Sequence, residues 1–332
     1  MSENFDFSTT AEDVADVFAN EIRGRNVLIT GTSIGGIGFE TAQAIAKYAN
    51  SVIITGYNAE RLQLSADAIQ KDFPVVNVRQ LMLDLSSLAS VRKAAAEVIA
   101  YLCTSDRLIK VLINNAVAAV EPFKITEDNL EMQMAAGHIG PFLFTNLLAP
   151  KLIASCGAAG FPTNPLARVV FVASDGHLLK AVDFSTPLGD PTNPARHESA
   201  FGFYQEMKSA SILATIEMAR RAKGKMEVFS LHPGCKPYHL GTGMYNDCHS
   251  LGLFDENEQP SPKFDWKTIP QGAATHVLSA FSSRIFHLNQ SGSYLVDCKV
   301  ANDQRAPHAS DPTNAARVWE ATERVLGQKF EV

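Results

Sequence analysis

Thr30-Gly31-Thr32-Ser33-Ile34-Gly35-Gly36-Ile37-Gly38 is the stretch on which the reading of this chain turns. The run before it, Asn26-Val27-Leu28-Ile29, is short and apolar and reads as a buried strand. After it, Phe39, Ala42, Ile45 and Ala46 recur at helical spacing as far as Tyr48. A strand that enters a glycine-rich turn and leaves as a helix is a recipe for holding a pyrophosphate. The glycines let the backbone come close, and the free N–H groups of the first helical turn face the negative charge. An ordinary loop can have the same composition, so the rest of the chain decides.

Outward from that unit, strands and helices alternate. Residues 11–22 carry Val14, Val17, Phe18 and Ile22 on one face and predict a short leading helix. Strands are expected over 51–56, 75–83, 108–114, 167–173, 226–231 and 292–297. Helices are expected over 59–71, 87–103, 126–154, 204–222, 271–282 and 314–326, the third of these bent by Gly137, Gly140 and Pro141. The turn-rich segment 157–165 reads as a loop, and 183–198 as a surface excursion rich in Pro, Asp, Asn and Thr. Residues 236–267 are irregular and predict a substrate-covering lobe. Strands alternating with helices at this spacing imply βαβ units. The 332 residues thus read as one α/β domain, 1–332, built on a doubly wound parallel sheet of the Rossmann type.

Composition narrows the function. The chain is 46% hydrophobic with a net charge of −6, which supports a large core and gives no sign of a nucleic-acid partner. Five scattered cysteines, Cys103, Cys156, Cys235, Cys248 and Cys298, form no CxxC pair and suit the reduced thiols of a cytoplasmic protein. The acidic N-terminus lacks the pattern of a signal peptide, and no run of eighteen apolar residues occurs, so no membrane partner is expected. No His, Cys, Asp or Glu grouping has metal-ligand spacing, so no metal is expected either. His138, His177 and His232 read as core or surface histidines, and His239, Cys248 and His249 as solvated loop residues. Cys235 reads as a packing residue, although Lys236 beside it could lower a thiol pKa.

The chemistry sits on Tyr204 and Lys208, within Y-Q-E-M-K. Positions i and i+4 share a helix face, so the ammonium can stand beside the phenol. A free tyrosine titrates at about 10, too high for a base at neutral pH. A neighbouring cation favours the phenolate and lowers that value. Such a pair arises by chance in many helices. Here it follows the glycine turn, a strand-terminal Asp84-Leu85, the strand end Asn114-Asn115-Ala116, and a strand-terminal Ser174.

In that order and spacing the chain resembles the short-chain dehydrogenase/reductase family, over about residues 17–299. Within it the likeness is to the retinol-dehydrogenase and WW-domain-oxidoreductase branch, as found in many fungal members. Gly140-Pro141-Phe142-Leu143, Ser174-Asp175-Gly176-His177, Leu231-His232-Pro233-Gly234 and Tyr294-Leu295-Val296-Asp297-Cys298 carry this likeness. The resemblance implies Tyr204 as general acid in carbonyl reduction and base in alcohol oxidation. It implies Lys208 on the nicotinamide ribose and Ser174 on the substrate oxygen. Gly31, Ser33, Gly36, Ile37 and Gly38 would line the pyrophosphate and adenosine ribose. Asp84 and Leu85 would meet the adenine, Asn115 and Ala116 the adenine ribose, and Pro233 and Gly234 the nicotinamide.

Four positions depart from the family pattern. The glycine turn is one residue longer. Tyr57 stands where a carboxylate would favour NAD; with none to repel a 2′-phosphate, and with Asn58 and Arg61 following, NADP is expected over NAD. Val117 follows Asn114-Asn115-Ala116 in place of a glycine. Gly137 stands where the family has a fourth catalytic residue, an asparagine that holds a helix distortion and whose backbone carbonyl anchors a proton-relaying water. Glycine keeps the carbonyl and permits distorted dihedrals, so a weakened relay and reduced turnover are expected.

The function expected is an NADP(H)-dependent oxidoreductase interconverting a carbonyl and an alcohol. The apolar residues of the lobe suit a partly apolar substrate such as a terpenoid, a polyketide or another secondary metabolite. The alternative is an isomerase, dehydratase or cyclase on the same fold, using Tyr204 and Ser174 as acid and base. The stripe Phe142, Leu143, Thr145, Asn146, Leu147 and Ala149 reads either as a homodimer face or as a helix covering the sheet.

Overall fold

A computed structural model of the protein describes residues 4–101, 108–118, 123–154, 166–192, 200–234, 249, 252–257, 259–287 and 289–332. Cys103, Cys156, Cys235, Cys248, His239, the loop expected over 157–165 and much of the 236–267 lobe lie outside them.

The strands are β1 (Asn26–Ile29), β2 (Ser51–Gly56), β3 (Asn77–Met82), β4 (Ile109–Asn114), β5 (Ala167–Val172), β6 (Met226–His232), β7 (Tyr294–Val296) and β8 (Lys299–Val300). They form one sheet in the order β3-β2-β1-β4-β5-β6-β7-β8, parallel throughout except for the β7–β8 hairpin. The helices are α1 (Ala11–Val17), α2 (Ala19–Ile22), α3 (Ile37–Ala46), α4 (Ala59–Asp72), α5 (Leu88–Tyr101), α6 (Met132–Met134), α7 (Gly140–Ala154), α8 (Ala200–Arg221), α9 (Ile269–Phe281), α10 (Ser283–His287) and α11 (Pro312–Leu326).

Alternation along the strands divides the core in two. Leu28, Ile53, Leu112, Val169 and Val228 face α5, α7, α8 and α11, while Val27, Ile29, Val52, Ile54, Val111 and Ile113 face α1, α3 and α9. A strand buried on both faces needs a continuous apolar run, which Val27–Ile29 in β1, Val52–Ile54 in β2 and Val111–Ile113 in β4 supply. The stripe on α7 belongs to this core. Phe142, Leu143, Thr145, Asn146 and Ala149 are buried within the single chain and Leu147 is half-buried, so the stripe serves as sheet cover.

Several boundaries differ from expectation. The leading helix breaks at Phe18, whose side chain turns into the core. β3 begins at Asn77, because Val75 is 97% exposed and Val76 closes a turn onto Phe73. Helix does not start at 126. Ile125 bridges to Glu131, whose carboxylate then accepts from the N–H groups of Gln133 and Met134 and starts α6. The last strand is shorter and turns back through Asp297 and Cys298, both at positive φ (49° and 59°), a tight hairpin the sequence reading lacked.

Candidate active site

Strand order reverses between β1 and β4, and the glycine turn leaves β1 at that point, the place where open α/β sheets take their ligands. Gly31 has φ +71°, and a Cβ there would stand 2.7 Å from the Ala116 backbone. A Cβ on Gly38 would stand 2.4 Å from both the Asn115 amide nitrogen and the Gly31 carbonyl. The turn is therefore laced to the end of β4. The Asn115 side chain donates to the carbonyls of Thr30 and Gly31, each at 3.0 Å, and the Thr30 hydroxyl accepts from the N–H groups of Asn115 and Ala116. Ser33 and Gly35 are exposed, Gly36 and Ile37 half-buried, and α3 begins at Ile37 behind Gly36 with no side-chain cap. The result is a close-approach cradle of backbone N–H groups, whose donors and lack of room for side chains fit a dinucleotide pyrophosphate.

The strands beyond β1 carry the other expected contacts. Tyr57 is 70% exposed past β2, and Asn58 caps α4 by accepting from the Arg61 N–H, which leaves its amide group free to donate. Past β3, the Asp84 carboxylate accepts from the Ser86 N–H at 2.9 Å and hydroxyl at 2.6 Å, while Leu85 is buried against the start of α7.

Ser174, Tyr204 and Lys208 converge beyond β5. Ser174 caps a single helical turn, Asp175–Leu178, its hydroxyl accepting from the Gly176 N–H at 3.2 Å. A Cβ on Gly176 would lie 3.2 Å from the Tyr204 ring and 3.6 Å from Ser174 Oγ, so this glycine lets phenol and hydroxyl face one space. Nothing in the sequence singled it out beyond its place in Ser174-Asp175-Gly176-His177. The Tyr204 ring stacks on Phe201 at 5.9 Å. Lys208 Nζ stands 5.3 Å from the Tyr204 ring centroid and donates to the Val172 carbonyl at 2.7 Å. Burial pulls the Lys208 ammonium down to about 7.

Pro233 and Gly234 follow β6 on the far side of Ser174. Gly234 has φ +70°, its carbonyl accepts from the Lys267 N–H at 3.1 Å, and the Lys267 ammonium, 1% exposed, pairs with Asp297 at 2.6 Å. That turn is thus tied to the β7–β8 hairpin.

Gly137 sits in a π-helical turn, Ala135–Ile139, between α6 and α7. The residue four positions on is Pro141, which has no N–H to give the Gly137 carbonyl. The Ser211 hydroxyl of α8 lies 3.2 Å from that carbonyl and 2.9 Å from the Met207 carbonyl. The space an asparagine would fill is taken by Met207, whose sulfur lies 2.6 Å from where a Cβ would be.

His138 and His177 are buried, the first on Thr322 and the second on the Ser174 carbonyl, and burial lowers the pKa of both rings. Among the described residues no His, Cys, Asp and Glu group could hold a metal ion, and no helix is long and apolar enough to cross a membrane.

The chain resembles known proteins along most of its length. Residues 25–182 match the family model of the short chain dehydrogenases. Retinol dehydrogenase 13 of Mus musculus is 31% identical over 92% of this chain and 85% of its own length. The chloroplastic short-chain dehydrogenase TIC 32 A of Brassica napus is 30% identical, over 94% and 91%. Among solved structures, an uncharacterised protein of Mycobacterium Paratuberculosis superposes with a TM-score of 0.68 at 24% identity, covering 94% of this chain and 96% of its own.

Proposed function

The chain belongs to the short-chain dehydrogenase family and is an oxidoreductase of the carbonyl–alcohol class, and from that premise we propose an NADP(H)-dependent enzyme acting on a partly apolar small molecule. The observation that carries the reading is the convergence of Ser174, Tyr204 and Lys208 across Gly176, together with a glycine turn that leaves no room for a side chain at Gly31 or Gly38.

In carbonyl reduction the Tyr204 phenol gives its proton to the substrate oxygen, and in alcohol oxidation the phenolate takes it back. Ser174 donates to the same oxygen as charge develops there. Lys208, while charged, favours the phenolate at a ring distance of 5.3 Å. Bound nicotinamide supplies or accepts the hydride. Gly31, Ser33, Gly36, Ile37 and Gly38 hold the pyrophosphate; Asp84, Leu85, Asn115 and Ala116 hold the adenosine, and Pro233 and Gly234 border the nicotinamide, with Lys208 on its ribose. NADP is favoured over NAD because no carboxylate stands at Tyr57 and the Asn58 amide is free to donate. Leu178 and Leu179, 47% and 61% exposed beside Ser174, supply apolar surface for a substrate, with the 236–267 lobe as its cover. A secondary metabolite suits such a surface, and the scattered cysteines suit a cytoplasmic setting.

Calorimetric titration with NADPH and, separately, NADH tests the cofactor: tighter NADPH binding is expected, and binding of neither sinks the redox reading. Tyr204→Phe is expected to abolish NADPH oxidation with carbonyl probes, since it removes the proton donor.

A further inference from the structure

The turn that carries Ser174 and the turn of Pro233 and Gly234 meet through one residue pair. The Asp175 N–H donates to His232 Nδ1 at 3.3 Å, and His232 Nε2 stands 3.3 Å from the Asp175 carboxylate. The other carboxylate oxygen accepts from the Tyr294 phenol at 2.9 Å. Tyr294 is fully buried, and burial together with Asp175 holds its phenol well above the ordinary value, so it remains a donor. His177 braces the same turn from beneath. Its Nδ1 lies 2.7 Å from the Ser174 carbonyl, its Nε2 accepts from the Ala306 N–H, and its ring meets Tyr294 edge-on at 5.2 Å.

A ring nitrogen that accepts carries no proton, so the His232 proton is on Nε2, the nitrogen beside the carboxylate. The neutral ring satisfies both contacts. A second proton would set an Nδ1–H against the Asp175 N–H, donor against donor.

We propose that Asp175 and His232 are positioning residues, a clasp that holds while His232 is neutral and fixes the spacing between Ser174 and the Pro233–Gly234 turn. Its catalytic consequence rests on the oxidoreductase reading above; its geometry does not. Burial is the largest influence on His232 and keeps the ring below its ordinary value of 6.5. The carboxylates of Asp175 and Asp297 favour the charged ring, while His177 and Lys267 oppose it. Lys267 is itself paired with Asp297, which blunts that carboxylate's pull.

The test uses the full chain, with His232→Asn, which offers a carbonyl oxygen to the Asp175 N–H and does not titrate, and His232→Leu, which offers nothing. Histidine ¹⁵N spectra and Asp175 amide exchange are read first, without cofactor. The Nε2–H tautomer is expected in the wild type. Amide protection should fall as the ring titrates below 6.5, persist in His232→Asn across that range, and drop about tenfold or more in His232→Leu as the acceptor is lost. Turnover is then read with NADPH and 9,10-phenanthrenequinone. The wild type should lose kcat/KM on the acid side, His232→Asn should lack that limb, and His232→Leu should lose kcat near neutral pH, by up to the roughly 100-fold that a misplacement of about 1 Å costs. An Nδ1–H tautomer, pH-independent protection of the amide in the wild type, or an acid limb surviving in His232→Asn overturns the clasp. Absence of any NADPH-dependent turnover in the wild type counts against the oxidoreductase reading, and the clasp then stands or falls on the spectra.

Discussion

At the scale of single residues, Gly137 and Lys208 carry the clearest consequences. Met207 fills the space beside Gly137, so Gly137→Asn forces its sulfur aside and is expected to cost about 1–3 kcal/mol by overpacking. Met207→Ala in the same chain opens that space, and the pair should be less destabilised than the two changes summed, read from urea midpoints. If the missing asparagine limits turnover, the double variant outpaces the wild type. Unchanged turnover and cofactor affinity would remove that idea. Lys208 titrates at about 7 in the folded chain and near 10.5 when unfolded, so the unfolded chain holds more protons between those values. Stability from this residue is therefore lowest below 7 and rises with pH through that window. Denaturant midpoints of Lys208→Met, compared with wild type from about pH 6 to 9.5, should show a flatter pH dependence. An identical slope in both chains would contradict the burial of the charge. Tyr204, Lys208 and Ser174 were expected from the order of the motifs and the resemblance they carry, and the fold brings the three around Gly176. The fit of Gly38 against Asn115, or of Gly176 against Tyr204, was not legible, because a contact between distant segments leaves no periodicity to read.

At the scale of elements, the join between α6 and α7 is where local pattern and tertiary contact diverge. The bend was visible in Gly137, Gly140 and Pro141, and the π-helical turn Ala135–Ile139 is its form. Helix was expected from Thr126, but Thr126-Glu127-Asp128-Asn129-Leu130 has one apolar residue and no helical stripe, and its backbone closes a turn between Thr126 and Leu130. Gly140 shows which term wins in such a place. Alanine in a helix is ordinarily favoured over glycine by about 1 kcal/mol. A Cβ on Gly140, however, would lie 2.2 Å from the Leu85 carbonyl, a backbone atom that cannot swing away. Gly140→Ala is therefore expected to destabilise, by about 1–3 kcal/mol net, since overpacking against backbone outweighs helix propensity. It should also weaken NADPH binding, because the strain falls on the Asp84–Leu85 turn proposed to hold the adenine. A rise in melting temperature would mean that α7 shifts freely away from that turn.

Across the whole molecule the two ends of the sheet divide the work. The carboxyl ends of β1, β4, β5 and β6 carry the glycine cradle, Asn115, Ser174 and the Pro233–Gly234 turn. The amino ends of β5 and β6 carry a buried ion pair, Arg168 to Glu227 at 2.7 Å, with both side chains nearly inaccessible. Arg168 also donates to the Ser282 carbonyl at the C-terminus of α9, and Arg25 nearby is pushed down to about 10 by burial and by the Arg168 charge. The alternation of strands and helices made the doubly wound sheet readable. Arg168 is a charge within an apolar strand, and only the register of β5 on β6 reveals its partner. A buried pair of this kind is weak evidence for net stabilisation, but removing one member strands the other charge at a cost of about 3–5 kcal/mol. Glu227→Gln is thus expected to cost that much in chemical denaturation. The strands separate this pair from the cofactor end by about 20 Å, the length of six extended residues. NADPH affinity, measured where the variant is still folded, should stay at the wild-type value. A variant that lost affinity in step with stability would show the two ends of the sheet to be coupled, and the division of labour would fail.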